Sequence, residues 1–155
     1  MFDVLVYLFE NYIHAEACPE PDQLARRLSA AGFEDEEISE ALEWLSGLDD
    51  VAGTSVLPVA PSIGAIRIYV AEEQVKLGTE GIGFITFLES AGVLDARSRE
   101  LIVDRVMALP EAAVSMGRIK VIVLMVMWRE ARPMDSLLVD ELLTEDDEDE
   151  RPVLQ

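Results

Sequence analysis

The chain is poor in the residues that usually do chemistry. Its 155 residues include one cysteine and one histidine, Cys18 and His14. A lone thiol builds neither an internal disulfide nor a redox pair, which fits a reducing compartment and predicts a cytoplasmic protein. Structural zinc needs four good ligands at ordered spacing, so His14 and Cys18, even with Glu10 and Glu16 nearby, fall short. A nucleophilic dyad needs a base oriented by a third group, and no such triple is visible. Basic residues are scarce as well: twelve Lys and Arg against thirty-one Asp and Glu leave a net charge of −19. An exterior of that sign repels nucleic acid and anionic lipid. Long apolar runs are also missing. Residues 119–128 are interrupted by Lys120 and make up about half of the roughly 20 residues a bilayer span requires. The opening decapeptide has no basic leader region and carries Asp3 and Glu10, unlike a signal peptide. These absences predict no metal, no cofactor, no membrane association and no enzymatic activity.

What is present is enough to fold. Half the residues are apolar, ample for a core in a chain of this length. Phe2, Leu5, Val6, Phe9, Tyr12 and Ile13 recur at helical spacing, predicting a helix over 2–16. Val4, Tyr7 and Leu8 make that helix apolar nearly all round, which predicts a central place in the core. A second helix over 22–31 ends at Gly32, a residue suited to the left-handed closing position. A third over 34–48 opens with four acids, Glu34, Asp35, Glu36 and Glu37, at the positive end of its dipole. Residues 49–64, rich in small residues and proline, read as a linker. Ile66-Arg-Ile-Tyr-Val70 alternates like a strand, and Val56 to Val59 is its candidate hairpin partner.

The second half returns to helices: 72–77 closed by Gly78, then 79–91, then one capped by Asp95 that stops before Pro110. Ser115 caps a strongly apolar helix, and a last one runs over 135–143. Residues 145–150 are six consecutive acids, predicting a disordered tail through 155. The expected fold is therefore an all-α, compact multi-helix domain with at most one short β-hairpin near 56–70. It divides into an N-terminal three-helix unit (1–48), a linker (49–64), a C-terminal helical unit packed on the first (65–144) and the acidic tail (145–155).

Two charged constellations are candidate sites. The first pair of helices has a helix-turn-helix outline, but the end that would enter a DNA groove is Glu34-Asp-Glu-Glu37. Four acids facing phosphate are repulsive. The same four are the candidate surface for a basic protein partner. Conversely, residues 95–132 hold seven bases and five acids, and a regular helix would bring Arg118, Arg129 and Arg132 within about 60° of one another. That stripe is either an anion-binding face or a solvated face paired with the chain's own acids. If it bound nucleic acid, Lys120 would join it and the tail would act as an internal phosphate mimic. Gly81-Ile-Gly83 lacks the strand, third glycine and distal acid of a dinucleotide site, and reads as close helix approach. Met107, Met116, Met125 and Met127 read as core fillers. Neither acidic run has the alternating ligands and central glycine of a calcium loop.

Several stretches are familiar as a set: Met1-Phe-Asp-Val-Leu-Val-Tyr-Leu-Phe-Glu-Asn-Tyr12, Ala31-Gly-Phe-Glu-Asp-Glu-Glu-Ile-Ser-Glu-Ala-Leu-Glu-Trp-Leu45, Ile66-Arg-Ile-Tyr69, Gly83-Phe-Ile-Thr-Phe-Leu-Glu89 and Arg118-Ile-Lys-Val-Ile-Val-Leu-Met125. In this order they closely resemble the Smg family of small bacterial proteins, a domain family of unknown function. The match covers nearly the whole chain and departs mainly in the linker and the longer tail. The resemblance implies no catalytic residue or cofactor. Family genes often neighbour one for a DNA-processing protein, which implies a link to that pathway. The Gly-Phe…Ile…Ala-Leu…Leu segment is also locally similar to the three-helix repeats of RecX-type recombinase regulators, or shares with them only ordinary helix patterning. The reading that follows is a non-enzymatic accessory or regulatory protein that binds a basic partner, with direct nucleic-acid binding disfavoured.

Overall fold

The computed structural model describes residues 1–12, 20–53 and 68–144. Among these the chain forms seven helices and no strand: α1 (Phe2–Tyr12), α2 (Pro21–Ala31), α3 (Asp35–Gly53), α4 (Ala71–Ser90), α5 (Ala96–Met107), α6 (Met116–Arg129) and α7 (Ser136–Leu143). Helix starts follow capping chemistry. The carboxylates of Asp95 and Asp135 accept from the amides of Ser98 and Leu138 at 2.8 and 2.7 Å, and the Ser115 hydroxyl accepts from Arg118 at 3.4 Å. Helix α2 ends at Gly32, whose φ of 104° is left-handed. Its amide donates to Ser29 at 3.1 Å, and the Phe33 amide donates to Leu28 at 3.2 Å. Gly78, at φ 71° and ψ 168°, breaks α4 into two segments.

Helix α6 is the centre of the molecule. It packs against α1, α4, α5 and α7, and Ile122 through Met127 are all fully buried. A helix surrounded on all sides must be apolar on all sides, which is why it carries so few polar residues. The remaining contacts are α4 on α5, α2 on α3, α1 on α3 and α3 on α5. One apolar cluster draws on all seven helices. Helices α4 and α6 approach closely at Gly81, where a β-carbon would stand 2.7 Å from Ile119 Cδ1. Gly83 faces open space, so the expected close approach holds for one of the two glycines.

Four expectations are revised. Helix α1 is not the centre: it buries Val4, Leu5, Leu8 and Phe9, while Phe2, Val6, Tyr7 and Tyr12 stay half-buried. The linker does not begin at 49, because Asp49 to Gly53 continue α3. The Arg129 guanidinium pairs with Asp49 and holds that acidic last turn against the helix dipole. The described part of the expected hairpin, residues 68–70, is not strand. Its alternation is real, since Tyr69 is buried between exposed Ile68 and Val70. However, the Val70 amide donates to Glu73 at 3.3 Å and the Gln74 side chain donates to the Tyr69 carbonyl at 2.8 Å, so this segment leads into α4. Finally, α6 ends at Arg129, and Ala131 turns the chain with φ 51°, so Arg132 leaves the stripe expected to hold it with Arg118 and Arg129. Residues 13–16 of the first predicted helix, His14, Cys18, the hairpin half 56–59, the rest of the linker and the acidic tail lie outside the described residues.

Candidate functional site

The distribution of charge is the first clue. All seven bases between residues 95 and 132 are engaged by the chain's own acids. Arg97 meets Glu130 at 3.2 Å, Arg99 meets Glu89 at 2.7 Å and Glu100 at 3.1 Å, and Arg105 meets Asp104 at 2.8 Å. Lys120 meets Glu141 at 3.3 Å, Arg118 pairs with Glu111, Arg129 with Asp49, and Arg132 with Asp95. Two of these bases are buried inside the molecule: Arg99 is 3% exposed and Lys120 4%. Burial by itself would favour the neutral form of Arg99, yet its bonds to Glu89 and Glu100 outweigh that and hold its pKa above the ordinary value. Asp95 balances in the same way. Desolvation pushes it up, while the Ser98 amide and hydroxyl and the charge of Arg132 prevail and hold it below the usual carboxylate range.

The first fifty residues behave differently. Thirteen acids face two bases, Arg26 and Arg27. Glu34, Asp35 and Glu36 are exposed and Glu37 is half-buried, so the quartet lies at the surface around the start of α3.

The second clue is a cleft of about 970 Å³. One wall is α1, through Phe2, Asp3, Val6, Tyr7 and Glu10. The opposite wall is the break in α4, Leu77 to Gly81, where the non-helical Gly78 opens the backbone. The first turns of α6 form the floor with Met116, Ile119 and Val121, and the end of α7 closes it with Leu142 and Leu143. Phe33 reaches the cleft because the Gly32 turn sends it back onto Tyr7, edge to face at 5.4 Å. This explains the apolar surplus of α1: Val6 and Tyr7, beyond what the core uses, line the cleft.

The cleft's polar groups divide by sign. Asp3, Glu10 and Glu80 are exposed along its walls, and no ion pair between described residues engages them. Its one arginine, Arg118, pairs with Glu111 and lies over the Phe2 ring at 5.0 Å. Glu34 follows Phe33 directly, so the acidic quartet continues from the cleft edge.

The structure thus places Glu34 to Glu37 beside the cleft and scatters Arg118, Arg129 and Arg132 onto three separate acidic partners. The cleft itself was missed from sequence, although the all-round apolarity of α1 and the glycine inside α4 were its signals. Among the described residues no group of three or more His, Cys, Asp or Glu is arranged to hold a metal ion. No helix among them is long and apolar enough to cross a membrane.

Comparison with known proteins identifies the family. Residues 1–151 match the model of a family described as "Protein of unknown function (DUF494)". The chain is 60% identical over 154 residues to the Smg homolog of Azoarcus sp. strain BH72, covering 99% of each. It is 59% identical to that of Aromatoleum aromaticum, covering all of both, and 55% identical to that of Bordetella pertussis, covering 97% of this chain and 98% of the other. No solved structure matches it. The family-model match and these end-to-end matches show that the chain belongs to the Smg family, whose function is unknown.

Proposed function

We propose that the protein is a non-enzymatic accessory or regulatory factor that binds a basic protein partner, one that itself handles nucleic acid. The observation that supports this most is the separation of charge. The bases between Arg97 and Arg132 are neutralised by acids of the same chain, and the acids around the start of α3 and on the α1 wall face water. An anionic face of this kind steers a basic partner and occupies the surface the partner would offer to phosphate. Glu34, Asp35, Glu36 and Glu37 are the core of that face.

Affinity purification from the native cell at low salt, with and without nuclease, tests the proposal. A basic partner should remain after nuclease treatment. Its affinity should fall steeply as salt rises, and again when the four acids are replaced by lysine. Recovery of no basic partner, or an affinity indifferent to salt and to those replacements, refutes the reading. The alternative, direct nucleic-acid binding through Arg118, Lys120, Arg129 and Arg132, has no comparable support, because each of those bases already holds an intramolecular acid.

A further inference from the structure

Resting on that reading, we infer that the cleft between α1 and the break in α4 seats a basic amphipathic helix of the partner. The cleft is apolar where it is deep and acidic where it is exposed. Val6 and Leu77 on the walls and Ile119 on the floor offer a greasy interior, and Asp3, Glu10 and Glu80 stand on facing walls. From Asp3 to Glu10 the α1 wall extends about 10 Å, two helical turns. A docked helix that inserts apolar side chains at i, i+3 or i+4 and i+7 therefore meets the floor over a matching length. Lysines or arginines flanking that stripe reach Asp3 and Glu10 on one side and Glu80 on the other.

Charge complementarity selects this occupant over others. A small anion gains little here, since Arg118 is already held by Glu111 and stacked on Phe2. An acidic helix meets three wall carboxylates and the quartet that begins at Glu34. The exposed large apolar side chains elsewhere, Ile68, Val70 and Val75 around the start of α4, Phe87 further along α4 and Leu137 on α7, do not line the cleft, and Glu72 and Glu73 interrupt the first group.

The test uses the full chain and three labelled designed peptides of about 18 residues, or five turns. One is a patterned Lys/Leu amphipathic helix, the second a scramble of the same composition, and the third the same apolar pattern with Glu in place of Lys. Affinity is read by fluorescence anisotropy at low salt, and the binding site by amide shift changes in the unmodified protein. The patterned basic peptide should bind about tenfold more tightly than either control. Shift changes should centre on Val6, Tyr7, Phe33 and Val121. Val6→Lys and Glu80→Lys should each weaken the patterned peptide several-fold while leaving the weak binding of the scramble unchanged. Equal binding of patterned and scrambled peptides, with shifts confined to the quartet, overturns the cleft assignment and leaves the acidic docking reading standing. Equal binding of the Glu peptide overturns the role of the wall charges, and shifts centred on Val70 and Val75, on Phe87 or on Leu137 overturn the location. If no basic peptide binds even at low salt, both this inference and the proposed function fail.

Discussion

Helices α1 to α3 and helices α4 to α7 solve the problem of charge in opposite ways. In the second group the bases between Arg97 and Arg132 turn inward or sideways onto carboxylates, as Arg99 does between Glu89 and Glu100, while Lys76 donates to the carbonyls of Met107 and Leu109. Those pairs knit helix to helix and leave little net field. In the first group the acids greatly outnumber the bases, and the wall and quartet carboxylates face solvent. Such self-repulsion costs the compact state some stability, and the contrast is what the proposed function rests on. The same contrast holds for apolar residues. Helix α6 hides Ile122 to Met127 completely, while α1 keeps Phe2, Val6 and Tyr7 only half-covered.

The sharpest way to break this comparison is to truncate equivalent apolar residues in the two groups. Leu124→Ala in α6 should cost about 3 kcal/mol or more in urea unfolding, because it opens a cavity in a fully enclosed site. Val6→Ala in α1 should cost less than about 1 kcal/mol, its side chain being half in water already. Similar losses at both positions would show that α1 is core after all. Next in size, Arg99→Ala should destabilise by about 2–3 kcal/mol, since it strands two carboxylates around a buried position. Glu36→Ala, on the exposed quartet, should stay within about 0.5 kcal/mol of the parent.

A smaller effect comes from Asp95, which caps α5 and pairs with Arg132. Asp95→Ala should cost about 1 kcal/mol at neutral pH. The native carboxylate titrates below its unfolded value, so its contribution is complete above the ordinary carboxylate range and disappears as pH falls through the lowered native value. The difference between parent and variant should therefore narrow below about pH 4 and should not change between pH 6 and 8. Smallest is Ala131→Gly. The alanine holds a φ of 51° at the turn after α6, where glycine is free of the β-carbon clash, so the variant should gain about 0.5 kcal/mol in melting experiments.

How much of this was legible in the sequence depended on the range of the force involved. Caps at Asp95 and Ser115, the stop at Gly32 and the break at Gly78 are local bargains within a few residues of chain, and they could be read directly, while the capping Asp135 reads from sequence only as the start of the last helix. The family resemblance was legible too, since it rests on residue strings. What failed was long-range. That α6 rather than α1 sits at the centre depends on which helices surround it. That α3 continues to Gly53 goes with Arg129 arriving from α6 to meet Asp49, a partner eighty residues away. The apparent basic stripe dissolved for the same reason: its angular spacing was sound for a regular helix, but the helix ended at Arg129, and each base found a partner distant in sequence or in the next turn. The quartet's surface position was legible because four charges at a helix start have nowhere else to go. The cleft beside it was not, because it needs four elements to converge.

The central claim is that the seven bases between Arg97 and Arg132 are already held by acids of the same chain, while the acids around the start of α3 and along the cleft face outward. Titrating duplex DNA and RNA against residues 1–144, with the acidic tail removed, and against the full chain at low salt tests it most directly. The account predicts no binding by either form, since each base between Arg97 and Arg132 has an acidic partner within residues 1–144. Nucleic-acid binding that appears on removal of the tail and is lost again in Arg118→Ala or Arg129→Ala would contradict it.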